Sequence, residues 1–130
     1  MSVGYCDFRK LEVTGISIPE NALIFTSYAL HYVPKLSTDL IAFLCQFKPR
    51  AVVHFEPCYE NYPEDSLHGL MCRRYVEVND YTRNLVSVIE FGRRREGIRI
   101  RALQNLFGSN PFLPISIIEW TPEDQLDLRQ

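Results

Sequence analysis

The sequence predicts an α/β fold, with parallel strands followed by a C-terminal antiparallel pair and helices flanking the sheet. Three observations predict it. Two apolar runs, 22–28 and 51–56, are joined by a stretch of helical spacing, which is the pattern of a parallel βαβ unit. The second run, Ala51-Val-Val-His-Phe-Glu, is nearly all apolar, as strands covered on both faces are. Two further strand-like runs, 98–103 and 115–120, have only an irregular connection between them and read as an antiparallel pair.

The elements follow in order. Residues 8–18 alternate loosely, which suits an exposed strand or extended lead-in. Pro19-Glu-Asn21 is a turn signal, and the first strong strand follows it. Thr38 is the expected N-cap of the next helix, with Asp39 in its positive first turn. Leu40, Ile41, Phe43, Leu44 and Phe47 form its inner stripe, and Lys48-Pro49-Arg50 ends it. Residues 57–65 form a polar, aromatic loop past the second strand. Ser66 caps a helix running to about Val76. Asn79 or Asp80 caps another, with Leu85, Val88 and Ile89 facing inward and Gly92 and Gly97 bracketing its end. Arg93-Arg94-Arg95 sits at that helix end, where cations meet the negative pole of the dipole. Ile98 to Leu103 and Ile115 to Trp120 are the last strands, and residues 121–130 are a polar, flexible tail.

Composition narrows the function. The chain of 130 residues is one domain, 1–130, and its 46% hydrophobic and 12% aromatic content is that of a globular protein. A formal net charge of −2 leaves no electrostatic footprint for nucleic acid. No run approaches the roughly 20 apolar residues of a membrane span. The first ten residues do not form a signal peptide. Cys6, Cys45, Cys58 and Cys72 have wide spacings without a C-x-x-C pair, so reduced thiols in a cytoplasmic protein are expected. No set of His, Asp and Glu has metal-site spacing. His54 lies mid-strand and reads as a satisfied core or interface histidine. Cys58 with His31 or His54 would need contact and an activated thiolate to serve as a nucleophile, and nothing in the spacing demands it.

One family fits the order of elements. Thr26-Ser-Tyr-Ala-Leu-His-Tyr-Val33, Pro49-Arg-Ala-Val-Val-His-Phe-Glu-Pro57 and Ile115 to Pro122 look like the fourth-strand tip, fifth strand and final strand of class I S-adenosylmethionine-dependent methyltransferases. Leu11 to Asn21 looks like the acidic stretch before the fourth strand. The chain thus resembles the C-terminal half of that family over about 110 residues. The resemblance implies a partial Rossmann-like methyltransferase sheet, with the strands ordered four, five, seven, six. It implies methyl transfer from S-adenosylmethionine to a small polar molecule. It places Glu12 at the adenine amino group, and Ser27 and Tyr28 at the cofactor's amino-acid part. The family's glycine-rich loop after its first strand has no counterpart here. The chain is therefore expected to be a piece of a longer enzyme or to take its missing half from a partner.

Two residues are candidates for chemistry. His31, just past the first strong strand, has an ordinary pKa near neutrality and suits a base that takes a proton from a substrate hydroxyl. Glu56, at the tip of the next strand, suits binding of a substrate hydroxyl or a base role. Tyr59, Glu60, Asn61 and Tyr62 are expected to line a polar, sugar-like substrate. The alternative function is a non-enzymatic binding or dimerisation module without cofactor. In either case the apolar edge at 22–28 is open to pairing, so a homodimer or a tight partner is expected.

Overall fold

Strand register decides which side chains form the core. A computed structural model describes residues 1–123. The fold is mixed α/β with two sheets. The main sheet holds β3 (Leu23–Ser27), β4 (Ala51–Pro57), β5 (Arg99–Leu103) and β6 (Ile115–Thr121), in the order β3-β4-β6-β5. β3 and β4 are parallel, with Phe25 beside Val53 and Ser27 beside Phe55. β6 runs antiparallel to both its neighbours. The parallel pair and the antiparallel pair are thus as the sequence predicts.

Alternation sorts the sheet into two faces. Ile24, Thr26, Val52, His54, Glu56, Ser116, Ile118 and Trp120 share one face through the register. Most of these are buried, because α1 (Leu40–Cys45) and α3 (Leu85–Glu96) pack on that side. The two helices approach closely at Gly92, where an added Cβ would fall 2.4 Å from Ile41. Gly92 therefore serves a helix contact inside α3, while Gly97, with φ +69°, ends the helix in the left-handed conformation that glycine tolerates.

Several boundaries differ from expectation. The lead-in is a separate hairpin of β1 (Tyr5–Asp7) and β2 (Glu12–Thr14). Asp7 Oδ1 accepts from the Arg9 and Lys10 N–H groups and turns the chain there. α1 is only six residues long, with Asp39 rather than Thr38 at its N-cap position. The Ser37 hydroxyl accepts the Asp39 N–H instead. α2 (Leu67–Asn79) has the expected Ser66 cap, whose hydroxyl accepts from Gly69 N at 3.0 Å. It ends with Asp80 in the left-handed region, so Asn79 and Asp80 close α2 rather than cap α3. Of the expected tail, Thr121 closes β6, and residues 124–130 lie outside the described residues.

Candidate functional site at the strand tips

The C-terminal ends of β3 and β4 meet in one place. Tyr28 N donates to Phe55 O at 3.1 Å, and the chain then turns with Tyr28 at φ +49° into a short 3-10 turn, Leu30–Tyr32. The first N–H groups of such a turn have no partner within it. Glu56, one residue past the last β3–β4 pair, supplies one. Its Oε1 accepts from Ala29 N at 2.7 Å and from Leu30 N at 3.1 Å.

Glu56 has no exposed surface, and its Oε2 has no partner among the described residues. Burial raises its pKa, against the downward pull of the Leu30 and Ala29 N–H groups, the Thr26 hydroxyl and the His31 N–H. The carboxyl group holds the turn in place. Reaching a substrate hydroxyl would require the turn to open.

His31 sits inside that turn and is 5% exposed. Its ring lies 3.9 Å from the Tyr32 ring, with Tyr28 and Tyr81 edge-on at 5.6 and 4.9 Å. Nδ1 is buried and has no partner among the described residues. Burial lowers the pKa, against a backbone hydrogen bond to Tyr28, so the imidazole is neutral at pH 7. Thr82, which no sequence signal singled out, pins the turn from the link between α2 and α3. Its N–H donates to His31 O at 2.9 Å, and its hydroxyl is shared by Leu30 O and Val33 O.

The loop after β4 is tied into the fold by its side chains. The Glu60 carboxylate accepts the Val86 and Ser87 N–H groups at 2.7 and 2.9 Å and so caps α3 in place of the expected Asn79 or Asp80. Asn61 donates to the Ser116 hydroxyl, and Tyr62 donates its O–H to Pro114 O. Tyr59 lies beneath the Arg73 guanidinium, 4.6 Å from the ring centre. These contacts engage Tyr59, Glu60, Asn61 and Tyr62, the residues expected to line a polar substrate, within the fold itself.

Of the predicted cofactor residues, Ser27 and Tyr28 share the β3 tip with His31 and Glu56. Ser27 is exposed on the opposite sheet face, and the Tyr28 hydroxyl closes against Gly108, where an added Cβ would fall 2.6 Å from it. Glu12 is exposed on the hairpin. Its neighbours Leu11 and Val13 share a groove with Phe43, Gln46 and Phe47, at the end of α1 that leads into the start of β4. Glu12 is therefore at the other end of the sheet from His31, and the three residues do not form one cradle for S-adenosylmethionine.

A cleft of about 440 Å³ lies between α2 and the 105–114 segment, with His68 and Cys72 among its lining residues. His68 Nε2 donates to Pro111 O at 2.7 Å, so its 3.6 Å approach to Cys72 Sγ does not activate the thiol. Burial raises the pKa of Cys72, and pushes that of Cys58 up to about 12. Both remain thiols at neutral pH. Among the described residues no cluster of three or more His, Cys, Asp or Glu could hold a metal ion, and no helix is long and apolar enough to cross a membrane. No family model, curated protein or solved structure matches the chain.

Proposed function

We propose that the chain is a methyltransferase, or the substrate-side half of one, directed at an oxygen or nitrogen of a small polar molecule. The observation that carries this reading is the convergence of Tyr28, His31 and Glu56 at the C-terminal ends of two parallel strands, where open α/β sheets bind ligands. The order β3-β4-β6-β5 matches what the methyltransferase resemblance implies for strands four, five, seven and six, and it supports a partial Rossmann-like assignment. In this reading the protein works in the cytoplasm.

S-adenosylmethionine, when bound, supplies an electrophilic methyl group. Glu12, Ser27 and Tyr28 do not build its site by themselves, so the donor cradle comes from polypeptide outside residues 1–123. The chain's own contribution is on the acceptor side. Glu56 fixes the turn, the Tyr28, Tyr32 and Tyr81 rings exclude water, and neutral His31 holds an Nδ1 with no partner among the described residues that can take a proton.

Calorimetric titration with S-adenosylmethionine tests the reading. Micromolar binding by the chain, or by the chain joined to its upstream coding sequence, supports it. In the joined protein, His31→Gln then lowers turnover, and an unchanged rate removes His31 as the base. No binding in either form favours the second reading, a binding or dimerisation module without cofactor. The remoteness of Glu12 and the sealing of His31 favour that alternative.

A further inference from the structure

The second face of the main sheet has no covering layer among the described residues. It carries Leu23, Phe25, Val53, Phe55, Ile115 and Ile117, joined by Leu103. Leu23, Phe25 and Leu103 are 54%, 65% and 60% exposed, and the other four are only half-buried. Parallel strands ordinarily have both faces covered, so a bare apolar face on the β3–β4 pair is an unmatched surface. The unpaired β3 edge is continuous with it. Ala22 O and Tyr28 N point to β4, so Leu23, Phe25 and Ser27 turn their backbone groups off the edge.

We infer that this face is the interface of a homodimer, two copies packed sheet on sheet about a two-fold axis. The size fits. Four strands about 4.8 Å apart and roughly 20 Å long make a flat footprint of roughly 400 Å² per copy. Side-chain relief raises this to the roughly 500–600 Å² per partner at which specific interfaces begin. Pairing through the five-residue edge of β3 alone would bury too little.

The charge pattern fits a second copy rather than a charged partner. Arg101 and Glu119 pair at 3.7 Å in one corner of the face and offset each other, with Arg99 beyond them. Among the described residues, the rest of the face carries no charge. It runs diagonally from Leu23 and Phe25 across Val53 and Phe55 to Ile117 and Leu103, so a two-fold rotation lays apolar surface on apolar surface and leaves the charged corner at the rim. The inference is independent of any cofactor.

Sedimentation velocity over the micromolar range tests it. The wild-type chain sediments as a dimer. Phe55→Glu, at the centre of the face, and Phe25→Glu, at its exposed margin, each bury a charge across the two-fold axis and weaken the dimer about 100-fold or more. Far-ultraviolet circular dichroism and Trp120 fluorescence report folding, and Phe25→Glu, at an exposed position, retains the fold. A monomeric wild type, or folded variants that dimerise as tightly as wild type, overturns the inference.

Discussion

Lowering the pH from about 7.5 to about 5 perturbs a single buried chain of hydrogen bonds through His54. Trp120 Nε1 donates to His54 Nε2 at 3.0 Å, and Thr26 Oγ1 lies 2.9 Å from His54 Nδ1. The indole N–H is a donor only, so Nε2 must be the bare acceptor nitrogen and Nδ1 carries the proton toward Thr26. A second ring proton would set N–H against N–H in a site with no exposed surface. Burial accordingly lowers the His54 pKa to about 4. The unfolded chain binds this proton near pH 6.5 and the folded chain does not, so stability is full above that pH and falls as the pH drops toward 4. At 1.36 kcal/mol per pKa unit, the loss is about 2 kcal/mol by pH 5 and about 3 kcal/mol by pH 4. That is a large share of a typical 5–15 kcal/mol stability. Urea unfolding at a series of pH values measures it. His54→Gln lacks the titration, and the difference between the two stability curves isolates the histidine from other groups. Trp120→Phe removes the donor that excludes the second proton and flattens the wild-type slope. Parallel curves for wild type and His54→Gln between pH 7.5 and 5 would show that folding does not shift the His54 titration in this range.

The other outcomes rest on neighbouring contacts. Glu56→Gln keeps an oxygen for the Ala29 and Leu30 N–H groups and removes a carboxyl whose pKa is raised. Wild-type stability is lost as the pH rises through that folded value, so the variant gains on wild type with increasing pH in urea melts. Glu56→Ala leaves the part-buried Ala29 and buried Leu30 N–H groups unpaired and lowers stability by about 2–4 kcal/mol near pH 6; a loss under 1 kcal/mol would count against the turn-holding role. Gly92→Ala drives a methyl group into Ile41 and costs about 1–3 kcal/mol, read as a lowered melting temperature, whereas a neutral outcome would mean that α1 and α3 are free to part. In iodoacetamide labelling followed by mass spectrometry, exposed Cys6 reacts first, while Cys58 and Cys72 stay protected until the chain unfolds.

Much of the main sheet was legible in the chain. The largely apolar run at 51–56, the Ser66 cap and the Gly97 stop are local signals, because they depend on a side chain's neighbours within one turn. His54 read as a core histidine for the same reason. The errors came where a distant residue supplied the partner. Asn79 and Asp80 looked like a cap for α3, but the cap is Glu60 from the far side of α2. Glu56 and His31 were recognisable as polar residues at strand ends. What they do was not recognisable, since it depends on the Ala29 and Leu30 N–H groups and on Thr82 closing the turn across 49–52 positions of sequence.

The chain's residues set the kinds of element, the parallel joining of β3 to β4 and which side chains fit each core face, because side-chain periodicity and turn chemistry act over a few residues. It took the packed fold to set Glu12 apart from the strand tips, to seal Glu56 against its turn and to leave one sheet face uncovered among the described residues. Those outcomes depend on how elements far apart in the chain pack, and on which buried polar groups find partners when they do.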